Sequence, residues 1–177
     1  MNNFVGTHPM SGNEISGLET ASSDLFENKP WVICPSSTTD KRKIKLVKDF
    51  VASLGANPFI MDPKRHDQIA ALASHIFLIT SSILVNAVTK NNWDKIAQVA
   101  STGFKDTTRL ASHSSNMKKE IILTNKSNIK NALMDLSNEI DRFSSLLNND
   151  KETELKEYFQ KAKSLRDDWI NKYFTHV

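Results

Sequence analysis

The chain has 177 residues, enough for one ordinary domain or for a small domain with an appendage. Lys and Arg number 23 against 20 Asp and Glu, and a net charge of +3 does not call for a nucleic-acid partner. Hydrophobic residues at 39% and charged residues at 24% exclude a disordered tail and a polytopic membrane protein. The single cysteine, Cys34, excludes an internal disulfide and a cysteine-based zinc cluster, and it suits a cytoplasmic location.

Residues 1–62 have the pattern of an α/β segment. Short apolar runs bounded by prolines predict three strands. The predicted strands cover residues 4–6, 31–34 and 58–61. Apolar residues at helical spacing predict a helix over residues 38–54, begun by Thr39 or Asp40 and ended by Gly55. Three strands and one helix leave an open sheet edge, so we expect the tail of an α/β domain whose missing piece is truncated or supplied elsewhere.

From residue 63 to residue 177 the pattern is wholly helical. A long apolar helix, a short helix and two amphipathic helices are predicted, with a break at residues 102–106. The predicted helices cover residues 65–90, 93–101, 129–147 and 155–173. The turn between the last two, at residues 148–150, predicts an antiparallel hairpin. The fold class is therefore mainly α.

Residues 69–88 require a membrane test, because they match a bilayer in length and contain no Asp, Glu, Lys or Arg. The polar side chains in this run, Ser74 and His75 among them, largely offset the gain from its apolar ones. We therefore expect a buried core helix and no membrane association.

Three groups of residues could carry chemistry. His8 is expected in a loop directly after a strand, where open α/β sheets bind ligands, although an ordinary loop histidine is equally compatible. Asp67 and His75 lie slightly over two helical turns apart, on roughly one face; a helix cap and a buried core histidine would give the same pattern. No third ligand stands at a suitable spacing, so no metal site is predicted. Lys105 and Arg109 could bind a dicarboxylate, although by themselves they fit a plain helix start better.

The order of these motifs is more specific than any one of them. HPMSGNE, DLFENKPWVICP, HDQIAALASH and GFKDTTRLA follow in register, and from about residue 4 to residue 128 they strongly resemble the prephenate/arogenate dehydrogenase family of tyrosine biosynthesis. The resemblance implies that residues 1–62 are the C-terminal part of a Rossmann-type domain that binds NAD or NADP. It implies that residues 63–177 are a helical domain that binds the substrate and forms a homodimer. The reaction it implies is an oxidative decarboxylation of prephenate or L-arogenate.

The resemblance also assigns roles to the candidate residues. His8 matches the catalytic histidine, which accepts a hydrogen bond from the ring hydroxyl and helps to remove its proton. Arg109 matches the arginine that binds a substrate carboxylate, with Lys105 at a neighbouring polar position. Asp67 matches an acidic residue of the ionic network in the cleft, and His75 matches the first histidine of an SHxxH pattern.

Two departures from the family pattern bear on the substrate. Leu78 stands where many prephenate-using members have the second histidine of SHLPH, and Lys118 stands where some have a tryptophan. Both changes are more typical of the arogenate-using branch, which often prefers NADP. The resemblance therefore favours L-arogenate and NADP over prephenate and NAD.

The cofactor-binding residues stay unassigned. The GxGxxG turn of the family should precede His8, and no such motif occurs in the sequence. The resemblance implies that Gly12 and Glu14 lie in the loop beside His8, the match to the catalytic histidine. We therefore expect the chain alone to bind a dinucleotide weakly and to be inactive. The alternative is a non-catalytic helical dimerisation or ligand-binding remnant, in which substitution of His8 changes nothing measurable.

Overall fold

The computed structural model describes residues 4–12, 17–90, 92–148 and 151–174. Its strands are β1 (Gly6–Pro9), β2 (Pro30–Cys34) and β3 (Asn57–Ile60). Its helices are α1 (Lys41–Ser53), α2 (Pro63–Ala70), α3 (Ile76–Val88), α4 (Trp93–Val99), α5 (Thr102–Thr108), α6 (Ser115–Thr124), α7 (Lys126–Asn148) and α8 (Glu152–Tyr173). Two 3-10 turns cover Leu18–Thr20 and Arg109–Ser112, and a π-helical turn covers Ala71–His75.

The predicted strand–helix–strand unit is present. β2 and β3 pair in parallel, with Val32 opposite Phe59, and α1 connects them. β1 pairs with the other side of β2 and runs antiparallel to it. Ile33 and Val51 are fully buried and form a small core with Ala56, which holds α1 against β2.

Both ends of α1 follow from local chemistry. The Asp40 carboxylate accepts a hydrogen bond from the backbone N–H of Arg42, so Asp40, one of the two predicted caps, begins the helix. Gly55 lies just beyond the helix with φ of 74°, in the left-handed region that glycine adopts without strain. This turn carries the chain into β3.

Helix α1 has two apolar faces. Val47 and Val51 pack towards the sheet core. Leu46 and Phe50, each one position earlier, are 69% and 57% exposed. Residues four apart share a helix face, so Leu46 and Phe50 form an uncovered apolar patch on the side of the segment.

The first strand differs from the prediction. The sequence pattern places a strand at residues 4–6 and His8 in the following loop, whereas β1 covers Gly6–Pro9 and places His8 inside the strand, opposite Val32. Because β1 runs antiparallel to β2, its end lies beside the start of β2, away from the carboxyl edge of the parallel pair. The residues of β1 are mostly not strand formers, so pairing with β2 decides the conformation.

The predicted long helix at residues 65–90 runs from Pro63 to Val88 and contains an irregular turn. In Ala71–His75 the backbone N–H of Ile76 donates to the carbonyl of Ala71, five residues earlier. Such a π turn adds one residue to the helix and is frequent at functional sites.

The helix Pro63–Val88 is also long and apolar enough to cross a membrane, with a mean hydropathy of 1.8. Within its most apolar window 28% is buried in the described part of the chain. Core helices of soluble proteins have the same length and composition, so this finding is weak evidence for a membrane span.

The break predicted at residues 102–106 is wrong. These residues begin α5, and the chain is instead extended at Ala100, after α4. Tertiary packing explains the difference: Phe104 lies against Trp93, with ring centroids 5.5 Å apart, and α5 packs on α3. Lys105 is therefore a helical residue, and Arg109 begins the 3-10 turn that follows.

The chain divides into two compact units, Met1–Ala132 and Leu133–Val177. In the second unit, α7 and α8 pack as an antiparallel hairpin. The ring of Phe143 lies 5.4 Å from that of Tyr158 and 5.8 Å from that of Phe159, centroid to centroid. Of the predicted turn, residues 149 and 150 lie outside the described residues.

Candidate functional site

Three side chains from β1 and α2 are linked in series by hydrogen bonds. Nδ1 of His8 lies 2.9 Å from Nε2 of His66, and Nδ1 of His66 lies 2.9 Å from Oδ1 of Asp67. The two rings meet edge to face, with centroids 5.1 Å apart. The side chain of Asp67 is 53% exposed and that of His66 only 18%. The series of hydrogen bonds therefore runs from a solvated carboxylate to the half-buried ring of His8.

A second contact joins Asp67 to His75. The buried Asn125, which follows α6, donates from Nδ2 to the carbonyl oxygen of Asp67 at 2.7 Å, and the same atom lies 3.3 Å from Nδ1 of His75. In a regular α-helix residues 67 and 75 would lie about 80° apart around the axis. The π turn takes up one extra residue and reduces this angle to about 20°. It is therefore the π turn that allows one amide to reach both residues.

The environment favours the neutral forms of two of these histidines. Burial, and then the nearby His66, lower the pKa of His8 below its ordinary value of 6.5. Burial, followed by His8 and His66, likewise lowers the pKa of His75, and Asp67 opposes this shift. A neutral imidazole can accept a proton near pH 7, so His8 is suited to act as a base.

Lys105 and Arg109 belong to a different part of the first unit. Both are exposed, on α5 and on the 3-10 turn after it, and this turn packs along α3. The charge of Arg109 contributes to lowering the pKa of His113, after burial of that ring. The structure thus brings together His8, Asp67 and His75, and places Lys105 and Arg109 beside α3.

Lys118 connects the 3-10 turn to α3. Its ammonium group donates to the carbonyl of Ala111 at 2.7 Å and to the hydroxyl of Ser82 at 3.4 Å. Lys118 is half-buried, and its positive charge also contributes to lowering the pKa of His113. This side of α3 therefore presents cations, which suits an anionic ligand.

The loop residues beside His8 can be placed only in part. Gly12 follows β1 and is exposed, and a Cβ atom at this position would meet nothing within 4 Å. The second loop residue, Glu14, lies outside the described residues. Within the described ranges, no group of three or more His, Cys, Asp or Glu side chains is placed to hold a metal ion.

Sequence reasoning noted His66 only as the neighbour of Asp67 and missed its contact with His8, and it missed Asn125 altogether. His66 stands next to the candidate Asp67, but only the pairing of β1 with β2 brings its ring to His8. Asn125 lies far along the chain at the end of a helix, where its residue type predicts an ordinary cap. No local pattern marks either residue, because both contacts join positions 58 residues apart.

The fold and the site define a class of protein in which an α/β segment of nucleotide-binding type joins a helical segment, with ionisable side chains at the junction. Residues 1–60 match the nucleotide-binding domain of prephenate dehydrogenase, and residues 62–161 match its dimerization domain. The chain belongs to the prephenate dehydrogenase family. Its fold is the one predicted: mainly α, a Rossmann-type remnant followed by a helical domain.

The curated relatives that match this chain are named as dehydrogenases. Prephenate dehydrogenase of Bacillus subtilis (strain 168) is 33% identical over 93% of this chain and 45% of its own length. Cyclohexadienyl dehydrogenase of Zymomonas mobilis is 26% identical over 69% of this chain and 43% of its own length. The chain thus spans less than half the length of these relatives.

Solved structures in the family share the fold. Prephenate dehydrogenase from A. aeolicus, in complex with hydroxyphenyl propionate and NAD+, is 31% identical with a TM-score of 0.89, covering 94% of this chain and 59% of that one. Synechocystis arogenate dehydrogenase is 29% identical with a TM-score of 0.82, covering 94% of this chain and 62% of that one.

Proposed function

We propose that this chain forms the substrate-binding part of a dehydrogenase that oxidatively decarboxylates L-arogenate or prephenate. The observation that carries the proposal is the half-buried ring of His8, whose Nδ1 is hydrogen-bonded to His66 and whose pKa is lowered by burial. Such a ring is a neutral proton acceptor near pH 7. The matches to both domains of the family support this assignment.

The chemistry assigned to His8 is the movement of one proton. Nδ1 faces His66, so Nε2 takes the proton from the hydroxyl on the substrate ring as the carbon bearing it is oxidised. The bond to the ring carboxylate then breaks, carbon dioxide leaves, and the electron pair of that bond makes the ring aromatic. The phenolate formed takes the proton back, so His8 ends the reaction neutral. NAD(P)+, when bound, supplies the acceptor for the hydride.

The described residues do not supply the cradle that a dinucleotide pyrophosphate needs. That cradle is a glycine-rich turn at a helix start, where backbone N–H groups face the phosphates. At the start of α1, the carboxylate of Asp40 instead accepts the N–H of Arg42, and a negative charge there repels a phosphate. We expect other residues of the complete enzyme to bind the cofactor, and the isolated chain to bind it weakly and to be inactive.

Arg109 is assigned to a substrate carboxylate, because a guanidinium group can grip one through two parallel hydrogen bonds. Lys105 lies one turn earlier, on α5, and adds positive charge. Leu78 is buried on α3 and offers no polar atom where many prephenate-using relatives have a histidine. Together with Lys118 in place of a tryptophan, this supports L-arogenate as the substrate and NADP as the cofactor.

The helical hairpin supports a homodimer. On α7 and α8, apolar side chains at helical spacing, among them Ile140, Leu165 and Trp169, are more than half exposed. An uncovered apolar stripe of this kind is typical of a surface for another protein, and the match of residues 62–161 to a dimerization domain supports a second copy of the chain as that protein. Because the same match includes the whole helix Pro63–Val88, we assign that helix to the core of this domain and propose that the enzyme is cytoplasmic.

The test is a complete enzyme made by placing the N-terminal part of the nucleotide-binding domain of the Bacillus subtilis relative ahead of residue 1. We expect turnover with L-arogenate and NADP above that with prephenate or NAD. His8→Asn should lower kcat by about 10²–10⁴-fold, and Asp49→Asn, at an exposed ion pair on α1, should leave it unchanged. A folded, dimeric fusion that binds NADP but turns over neither substrate would contradict the proposal and favour the non-catalytic dimerisation remnant.

A further inference from the structure

We propose that His66 is a positioning residue for His8, and that the series Asp67–His66–His8 fixes which nitrogen of His8 carries the proton. The tautomer of His8 does not depend on the proposed function. The effect of that tautomer on turnover rests on the proposed function, so the tautomer and the effect are tested separately.

The direction of the series follows from the chemistry of its first member. An ionised carboxylate has no hydrogen to donate, so at 2.9 Å Oδ1 of Asp67 must accept from Nδ1 of His66. A neutral imidazole with its hydrogen on Nδ1 has a lone pair on Nε2. Nε2 of His66 therefore accepts from Nδ1 of His8, also at 2.9 Å. His8 is left with its lone pair on Nε2, the nitrogen that a substrate hydroxyl needs.

The elements that carry the series hold it in place. Asp62 begins α2 by accepting the N–H of Arg65, and the carbonyl of Asp62 accepts the N–H of His66. His8 is fixed by the ladder between β1 and β2, where it pairs with Val32. The edge-to-face contact between the two imidazoles limits rotation of both rings. The geometry is therefore set by a helix start and a strand pairing.

A free histidine side chain in water prefers the hydrogen on Nε2, the reverse of what a base acting at Nε2 requires. A histidine that receives its proton at Nε2 is better prepared when a neighbour fixes the hydrogen on Nδ1. A neighbouring ring that served only for packing would leave the tautomer of His8 at its preference in water. The tautomer thus separates a positioning role from a purely structural one.

The first measurement is two-bond 1H–15N NMR of the imidazole rings in the 15N-labelled chain at pH 8, well above the ordinary pKa of histidine. Substitution of each histidine in turn by glutamine assigns the signals. We expect protonated Nδ1 and unprotonated Nε2 in both His8 and His66. If the hydrogen of His8 resides on Nε2 in the unsubstituted chain, the proposal is overturned without any variant.

The second measurement removes the carboxylate that starts the series. In Asp67→Ala, both rings should shift towards the tautomer with the hydrogen on Nε2. Asp49→Ala removes a carboxylate from an exposed ion pair with Lys45 on α1 and serves as the matched control, with no expected change. If the His8 tautomer is the same in Asp67→Ala as in the control, Asp67 does not act through His66 and the proposal fails.

The third measurement examines the catalytic consequence in the complete fusion enzyme. His66→Leu should lower kcat by at least about tenfold with little change in KM, because the substrate contacts remain while the base loses its orientation. A change confined to KM would overturn the positioning role. If the unsubstituted fusion has no turnover while the tautomers are as expected, the proposed function fails and the Asp67–His66–His8 series stands.

Discussion

The side-chain amide of Asn125 donates a 2.7 Å hydrogen bond to the backbone carbonyl of Asp67. This bond ties the end of α6 to the helix that carries both Asp67 and His75. Since Asn125 is buried, its amide can pair only with groups in the protein, among them the Nδ1 atom of His75 and the amide of Asn128. One buried side chain thus fixes the spacing between α6 and the π turn.

Replacement of this amide should be costly for stability. We expect Asn125→Ala to lower the free energy of unfolding by about 1–3 kcal/mol, because buried polar groups lose their partner. Thr124→Ala, at the exposed preceding position, should change it by less than about 0.5 kcal/mol. Urea unfolding followed by circular dichroism measures both values. Equal stability of the two variants would show that the Asn125 contacts do not hold the helices together.

The free energy of unfolding should fall as the pH is lowered below the ordinary pKa of histidine. Burial lowers the pKa of His8, His75 and His113 from 6.5, so the unfolded chain binds more protons than the folded chain in this range. The loss therefore begins as the pH falls through about 6.5 and levels off below the folded pKa values. The Asp40 carboxyl, whose pKa Arg42 lowers from 3.8, contributes only at lower pH.

The measurement is urea unfolding at a series of pH values between about 5 and 7.5, a range around the ordinary histidine pKa. His8→Gln removes one of the shifted groups and should make the curve shallower. A stability that rises on acidification through this range would contradict the direction of all three shifts.

Prediction from sequence succeeded where a pattern is local. The periodic apolar residues of α1 and the cap Asp40 gave the strand–helix–strand unit, and the composition gave a mainly helical chain. It failed where contacts between distant segments decide the structure. β1 forms around His8 because β2 is beside it, and α5 forms where a break was predicted, at residues 102–106, because Phe104 packs on Trp93.

The candidate site shows the same division. Asp67 and His75 could be placed on one helix by counting, but neither the π turn between them nor the side chain that joins them leaves a periodic signal. The sequence shows a histidine at position 66 but does not show that it contacts His8, because that contact depends on the pairing of β1 with β2.

The two apolar faces of α1 should respond differently to truncation. Val51→Ala should lower the free energy of unfolding of the isolated chain by about 1.5–3 kcal/mol, since this side chain is fully buried. Phe50→Ala should lower it by less than about 1 kcal/mol, because the ring is mostly exposed there. In the fusion enzyme we expect Phe50→Ala to become clearly destabilising, because the added part of the nucleotide-binding domain should cover this apolar patch. An unchanged effect of Phe50→Ala in the fusion would show that this face stays uncovered.

The apolar stripe on the hairpin should be the dimer contact. Leu165 lies on α8 with its side chain more than half exposed, and a charge at its position would have to be buried on association. We expect the chain to sediment as a dimer at about 10 µM, which requires a dissociation constant of about 1 µM or below, or a binding free energy of about −8 kcal/mol. Leu165→Glu should raise the dissociation constant at least tenfold, about 1.4 kcal/mol. Ser164→Glu adds the same charge to a neighbouring exposed position on another face of α8 and should leave the dissociation constant nearly unchanged.

Sedimentation equilibrium gives both dissociation constants, and circular dichroism confirms that the helices persist. A monomeric unsubstituted chain, or equal effects of the two substitutions, would show that this stripe is not the surface on which two copies meet.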